Sequence, residues 1–343
     1  LGERAGGELE EMVERFLLPL GSVHRVAGIA SAYAQLDGRE EVTTVDAQLA
    51  ARALNRQKLD TLAQRLEVSG SWGDLVVDSV TANELYDLER RCRLREQLIE
   101  HVGTGFRNSV NRGVRALFNG PSGTGKTLAA KILASVLQTD VYRVDLASVV
   151  NKYIGETEKN LSQLLARAEE LDVILLVDEG DALMTNRTDV KSANDRYANL
   201  ETNYLLQRLE NYEGVVIITT NAGNRIDQAF QRRFDMTISF QPPDAAERRA
   251  IWQRHLPDTH RVSPARLQEI SAQCALTGGQ IRNAVLYATL LAVDGGAGHV
   301  GDEEIESAVR REYLKAGASC PLSRRPHSNG HRAALSRFVA EIR

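Results

Sequence analysis

The run from Gly120 to Thr127 constrains the fold of this chain more than any other feature. Its eight residues fit G-x-x-x-x-G-K-[S/T], the pattern of a phosphate-binding loop, or P-loop. Glycines let the backbone turn tightly, so that several N–H groups point at one anion. The pattern predicts that Lys126 reaches the β- and γ-phosphates of ATP and that the Thr127 hydroxyl faces Mg²⁺. The predicted ATP contacts are Gly120, Pro121, Ser122, Gly123, Thr124, Gly125, Lys126, Thr127 and Leu128.

The residues on either side of this loop support the interpretation. Residues 114–119 are mostly apolar and typical of a buried strand. Residues 128–137 have the periodicity of a helix, whose N-terminus would face the phosphates. The alternative is a plain glycine-rich turn between a strand and a helix, and that alternative does not account for Lys126.

Apolar runs and helical segments alternate from residue 114 to about residue 244. The predicted strands are 114–119, 141–145, 173–178, 215–220 and 236–240. This alternation is typical of an α/β fold, here a P-loop NTPase with a parallel five-stranded sheet. After two prolines at 242–243 the pattern becomes helical, over 245–255, 264–274, 280–293 and 302–314, which predicts a small α-helical lid.

The sequence therefore predicts five segments. Residues 1–67 are a helical N-terminal segment, with helical periodicity over 8–17, 22–36 and 44–66. Residues 68–113 hold an irregular stretch to residue 83, a charged helix over 84–101 and a loop. Residues 114–244 are the nucleotide-binding domain, residues 245–315 the lid, and residues 316–343 a flexible basic tail. Since the chain begins with Leu1 and not with methionine, we expect it to be a piece of a longer protein.

An internal repeat links the two helical regions. The segment from Leu276 to Arg310 aligns without a gap with the segment from Leu18 to Arg52. The alignment pairs Gly279 with Gly21, Ile281 with Val23, Ala288 with Ala30, Gly296 with Gly38, and Val300 with Val42. Two amphipathic helix pairs can resemble each other by chance. The other interpretation is that residues 1–67 are the lid remnant of a preceding, related domain.

Composition limits the classes of partner and compartment. The net charge is −4, so nothing in the overall balance indicates a polyanionic partner. The three cysteines are far apart in sequence and have no metal-binding spacing, which predicts inert thiols in a reducing, cytoplasmic compartment. No apolar run approaches the ~18–20 residues of a membrane span, and no signal peptide is evident. Membrane association is not expected.

Polar residues that end two of the predicted strands point to hydrolysis. The apolar run before Asp178 and Glu179 has the Walker B arrangement, in which Asp178 would hold Mg²⁺ and Glu179 would orient the attacking water. A buried strand followed by an acidic turn is the alternative. Asn221 ends the next strand, where its amide would lie beside the γ-phosphate, although taken alone it is a turn residue.

Two adjacent arginines, Arg232 and Arg233, lie between Phe230 and Phe234. They are either a surface ion-pair cluster or an arginine finger, a guanidinium that a neighbouring subunit supplies to the nucleotide. The sequence around them leaves both interpretations open.

From about Ser71 to Leu314 the chain resembles the AAA+ ATPases. The resemblance rests on the P-loop, Asp178 and Glu179, the sensor-1 position at Asn221, the finger position at Arg232 and Arg233, and the sensor-2 position at Arg282. It implies ATP and Mg²⁺ as cofactors, Arg282 as a further ATP contact, and a homo-oligomeric ring, expected to be a hexamer. The run Lys152, Tyr153, Ile154 and Gly155 resembles the central pore loop of classical AAA translocases, whose aromatic residue grips an extended polypeptide. The alternative for Tyr153 is an aromatic that packs on its own domain.

The resemblance is closest to the AAA ATPases encoded with phage-tail-like contractile injection systems. It rests on residues 152–161, 195–199 and 311–313. Such proteins commonly carry a degenerate AAA-like domain before the active one. Two departures stand out. Classical AAA proteins separate their two arginines by two residues, and here they are adjacent, which favours Arg233 as the finger and Arg232 as second choice. Classical members also often lack the sensor-2 arginine, so Arg282 either contacts the γ-phosphate or is structural.

These features predict an ATP hydrolase that remodels or threads a protein substrate through a ring, with a contractile tail-like component as the candidate partner. One alternative is a nucleic-acid-associated loader, which the net charge and Tyr153 disfavour although the basic tail keeps it open. The other is an ATP-gated scaffold with little turnover, which Glu179 and Arg233 disfavour.

Overall fold

A computed structural model describes residues 20–103, 111–144, 156–180, 207–221 and 232–322, apart from residues 40, 44, 48, 51, 52, 54–58 and 297. The predicted helix over 8–17, the pore loop at 152–155, the segment 195–199 and the tail beyond residue 322 lie outside the described residues. The chain divides into two compact units at residues 242 and 243. Among the described residues, no helix is long and apolar enough to cross a membrane.

The first unit is built on a six-stranded sheet. Its strands are β1 (Gln64–Leu66), β2 (Val114–Asn119), β3 (Val141–Val144), β4 (Ile174–Val177), β5 (Val215–Thr220) and β6 (Met236–Ser239), in the order β1-β3-β4-β5-β2-β6. All neighbours pair in parallel except β1, which runs antiparallel to β3. The predicted parallel α/β fold is therefore confirmed, and its five strands lie within one residue of their predicted bounds.

One strand of the sheet, β1, was not predicted from the sequence. The sequence predicted a helix through residue 66, whereas Gln64–Leu66 pairs with β3 at the edge of the sheet. The side chain of Arg65 donates to Asp140 Oδ1 at 2.7 Å and secures this edge. Helical periodicity is a local signal, and here a partner far along the chain decides the conformation.

Helices cover both faces of the sheet, which is the usual arrangement for parallel strands. Among the described residues of this unit, the longer helices are α1 (Leu20–Leu36), α2 (Ser79–Arg93), α3 (Arg95–His101), α4 (Lys126–Val136) and α5 (Glu156–Leu171). Alternate residues of β2 belong to two hydrophobic clusters, one on each face of the sheet. Ala116 and Phe118 pack with α2 and α4, and Leu117 packs with α5. Burial on both faces explains why β4 is a continuous apolar run in the sequence and why β5 begins with one.

The charged helix predicted over 84–101 is two helices, and it begins earlier. Asp78 caps α2, and its carboxylate accepts from the backbone N–H groups of Val80 and Thr81 at 2.9 Å each. This cap starts the helix at Ser79, inside the stretch predicted to be irregular. Leu94 leaves helical geometry and separates α2 from α3.

The second unit is helical, as predicted. Its described helices are α6 (Ala245–His255), α7 (Pro264–Gln273), α8 (Gly278–Asp294) and α9 (Asp302–Lys315). Side-chain caps at Asp244, Ser263 and Thr277 fix the starts of the first three. The chain after α9 remains attached to this unit, since Leu322 is buried and its carbonyl oxygen accepts from Arg310 at 3.0 Å.

Candidate nucleotide-binding site

The predicted phosphate loop connects β2 to α4, and its glycines take conformations that other residues rarely adopt. The φ angles of Gly120, Gly123 and Gly125 are +148°, +80° and +105°. A Cβ atom on Gly120 would lie 2.1 Å from the carbonyl oxygen of Phe240, so the loop requires glycine at this position. The glycines thus hold an open cradle at the N-terminus of α4, a position suited to binding phosphate.

Lys126 is buried inside this cradle. Its ammonium group donates to the carbonyl oxygens of Gly120 at 2.6 Å and Pro121 at 2.8 Å, and to Asn221 Oδ1 at 2.9 Å. An ammonium group has three protons to donate. The P-loop lysine and the predicted sensor-1 amide are therefore in direct contact, although they are far apart in sequence.

Sheet topology explains how these residues come together. Because β4, β5 and β2 are parallel neighbours, their carboxyl ends meet at one edge of the sheet. Asp178 and Glu179 follow β4, Asn221 follows β5, and the P-loop follows β2. Ligand sites of open α/β sheets form at this edge. The structure thus places the predicted metal-binding and catalytic acids beside the phosphate cradle.

Thr219 is a contact residue that sequence analysis did not identify. Its hydroxyl donates to Asp178 Oδ1 at 2.6 Å and accepts from the backbone N–H of Glu179 at 3.1 Å. Thr219 is 1% exposed, so water does not compete for these bonds. Its position on the predicted strand two residues before Asn221 was the one feature of the sequence that could have indicated this contact.

The donor set fits a nucleotide with Mg²⁺. The cradle offers backbone N–H groups for phosphate oxygens, and the Lys126 ammonium would bind a phosphate by exchanging one of its three protein acceptors. The Thr127 hydroxyl and the Asp178 carboxylate would supply the hard oxygen ligands that Mg²⁺ prefers. When bound, Mg²⁺ would neutralise phosphate charge. The exposed residues 121–123 leave the cradle open to solvent on one side.

The two arginines lie at the other end of the sheet. They precede β6, whose pairing with β2 begins at Met236 and Ala116, whereas the P-loop follows the far end of β2. At about 3.3 Å per strand residue, the six residues of β2 span about 20 Å. Arg233 lies near the start of this strand, where the N–H of Asp235 donates to the carbonyl oxygen of Arg115, and the P-loop follows its end. Arg233 forms an ion pair with Glu210, and Arg232 is exposed. Neither arginine is placed to reach the cradle of its own subunit.

Arg282 belongs to the second unit, where its side chain is exposed on α8. The pKa of the nearby His255 imidazole is lowered mainly by burial, and the positive charges of Arg282 and Arg254 lower it further. The sensor-2 role of Arg282 stays a prediction. The pore-loop role of Lys152, Tyr153, Ile154 and Gly155 also stays a prediction, because these residues lie outside the described residues.

Two family models match the chain. Residues 116–242 match the ATPase family associated with various cellular activities (AAA), and residues 244–318 match the contractile injection system ATPase helical domain. The border between the matches coincides with the border between the two structural units.

Curated relatives agree with these matches. The chain is 32% identical to an uncharacterized AAA family ATPase of Sinorhizobium fredii, over 53% of each chain. It is 31% identical to an ATP-dependent zinc metalloprotease of Sphaerobacter thermophilus, over 68% of this chain and 51% of the relative. It is 30% identical to a 26S proteasome regulatory subunit 8 homolog of Encephalitozoon cuniculi, over 64% of this chain and 57% of the relative. The chain spans about half the length of the curated relatives it matches.

The sheet, the phosphate loop and these matches define a P-loop ATPase of the AAA+ class. Within that class the chain belongs to the AAA ATPases, and its AAA domain is followed by the helical domain found in contractile injection system ATPases. The resemblance predicted from the sequence is confirmed at both levels.

Proposed function

We propose that the whole protein hydrolyses ATP at subunit interfaces of a ring and uses the energy to remodel or thread a protein substrate. One observation carries the proposal. Lys126, Asn221, Asp178 and Glu179 meet at one edge of the sheet, whereas Arg232 and Arg233 lie at the opposite end. A complete site then requires an arginine from a second subunit, as in a closed ring.

Each residue has a distinct role in the proposed reaction. Lys126 balances negative charge on the phosphates, and Asn221 and Glu179 orient the attacking water. Asp178 and Thr127 hold Mg²⁺ beside the phosphates. Arg233 of one subunit stabilises the charge that develops at the nucleotide of its neighbour, and Arg282 is a candidate contact from the lid.

The helical domain suggests the biological setting. Its match to contractile injection system ATPases supports a contractile, tail-like component as the partner and a homo-oligomeric ring, for which we propose six subunits.

The three cysteines are free, and burial raises the pKa of the Cys92 and Cys274 thiols to about 12. Unreactive thiols of this kind support the proposal of a cytoplasmic location.

Threading makes a prediction for Tyr153. We expect Tyr153→Ala to lose at least about ten-fold in ATP-driven unfolding of a tagged protein substrate, because a missing aromatic anchor weakens the grip on the chain. ATPase activity without substrate should stay within about two-fold of wild type, since the phosphate cradle is intact. Tyr153→Phe keeps the aromatic side chain and serves as the control. Normal substrate unfolding by Tyr153→Ala would show that this residue is not the gripping aromatic.

We also propose that residues 1–67 are the lid remnant of a preceding degenerate AAA-like domain. Burial follows the sequence repeat: Ala30 and Ala34 are buried in α1, and so are their counterparts Ala288 and Ala292 in α8. Gly38 after α1 has φ of +72°, and its counterpart Gly296 after α8 has φ of +69°.

The following turn repeats as well. The backbone N–H of Thr43 donates to Asp46 Oδ2 at 2.8 Å, and the N–H of the aligned Gly301 donates to Glu304 Oε2 at 2.9 Å. His24 aligns with Arg282, so the N-terminal segment of the repeat lacks the arginine predicted at the sensor-2 position. Matching burial, glycine conformation and capping support common ancestry over chance.

This proposal predicts the neighbourhood of α1 in a longer protein. In an electron microscopy structure of the full-length gene product, we expect a second α/β domain, without a complete P-loop, directly before the segment from Leu18 to Arg52. A full-length structure with no such domain before this segment would contradict the proposal.

A further inference from the structure

Thr219 connects three consecutive residues at the end of the Walker B strand. Its hydroxyl donates to Asp178 Oδ1 at 2.6 Å and accepts from the N–H of Glu179 at 3.1 Å. Its carbonyl oxygen accepts from the N–H of Gly180 at 2.8 Å. The register explains this contact, because Val177 pairs with Ile218 and the next residues, Asp178 and Thr219, stand side by side.

The segment held in this way has an unusual backbone. Glu179 has φ of +56°, in the left-handed region that residues other than glycine seldom occupy. Such a conformation persists only where surrounding contacts enforce it. The hydrogen bonds that the N–H groups of Glu179 and Gly180 donate to Thr219 are contacts of this kind. They fix the direction in which the Glu179 side chain leaves the backbone.

The same hydroxyl fixes the orientation of Asp178. A hydroxyl has one proton, and Thr219 donates it to Asp178 Oδ1. A hydrogen bond to one oxygen of a ligating carboxylate limits the rotation of the group and tunes metal affinity.

We propose that Thr219 is a positioning residue that sets the metal affinity of Asp178 and the orientation of Glu179. The inference rests on the proposed function, since it assumes that Mg²⁺ and a nucleotide occupy the site. The neighbouring strand thereby links the predicted sensor-1 residue, Asn221, to the two acids through one buried side chain.

The test compares Thr219→Val, which keeps the shape and removes the hydroxyl, with Thr219→Ser, which keeps the hydroxyl. Binding of a fluorescent ADP analogue is titrated in EDTA and at rising free Mg²⁺. We expect Thr219→Val to match wild type in EDTA and to need about 10–100-fold more Mg²⁺ for the same gain in nucleotide affinity. Thr219→Ser should respond to Mg²⁺ as wild type does.

Ile218→Val is the matched control, because it trims the same strand and leaves Thr219 in place. We expect its Mg²⁺ response to equal that of wild type. If the valine variant does not fold, as judged by thermal melting, Thr219→Ala removes the same hydroxyl. An unchanged Mg²⁺ requirement in the variant without the hydroxyl, or a serine variant as impaired as the valine variant, would overturn the inference. Failure of wild type itself to bind the analogue, or to respond to Mg²⁺, would instead refute the proposed function.

Discussion

Glu179→Gln is expected to lower steady-state ATP hydrolysis by about 10²–10⁴-fold while nucleotide binding stays near the wild-type level. Glutamine has the size of glutamate and keeps the backbone N–H that donates to the Thr219 hydroxyl, so the local conformation should persist. The amide cannot accept a proton from the attacking water. Phosphate release measures the loss of turnover, and binding of a fluorescent ATP analogue measures the retained affinity.

Glu213→Gln is the control for this substitution. Glu213 is an exposed glutamate just before β5, so the change removes the same charge away from the cradle. We expect normal hydrolysis from it. A Glu179→Gln protein that hydrolyses ATP at the wild-type rate would refute the role proposed for Glu179, and one that no longer binds nucleotide would assign it to binding.

Sequence patterns were sufficient to predict the sheet and the phosphate loop. Strands such as Ile174–Val177 are buried on both faces, so the sequence shows a continuous apolar run with recognisable ends. The P-loop was predictable because its backbone geometry requires glycine at fixed positions, as the close approach of Phe240 to Gly120 shows. These signals are local, and a single sequence contains them.

Features that depend on distant partners could not be predicted. The strand Gln64–Leu66 exists because β3 offers an open edge, and nothing in its own residues marks it as a strand. The hydrogen bond from Thr219 to Asp178 depends on the pairing of β4 with β5, which the sequence does not specify residue by residue. The sequence predicted that Lys126 and Asn221 both lie beside the phosphates, but their direct contact at 2.9 Å was not predicted and depends on the same packing.

The two arginines show a further limit of sequence analysis. The pattern favoured Arg233 as the finger without showing where its side chain lies. In the structure Arg233 pairs with Glu210 within its own chain, while Arg232 is exposed. A surface pair of this kind contributes about 0–1 kcal/mol to stability, since both side chains are more than one-third exposed. Exchanging Glu210 for a neighbour's phosphate would therefore cost little.

Arg233→Ala is expected to lower ATP hydrolysis by about 10³–10⁵-fold at protein concentrations that favour assembly, with a smaller loss for Arg232→Ala. The reason is the loss of a guanidinium that faces the nucleotide of the adjacent subunit. Phosphate release by each variant across a range of protein concentrations measures the effect. If Arg232→Ala causes the larger loss, Arg232 is the finger.

Two further proteins separate a finger in trans from a structural ion pair. Glu210→Ala breaks the same pair but leaves Arg233 in place, so we expect it to keep most of the ATPase activity. Mixing Arg233→Ala with Lys126→Ala should restore part of the activity, because a Lys126→Ala subunit still offers its arginine to a neighbour whose cradle is intact. Neither variant alone can form a complete site. If Glu210→Ala loses as much activity as Arg233→Ala, and the mixture recovers none, Arg233 supports its own domain and the shared site proposed for the ring is wrong.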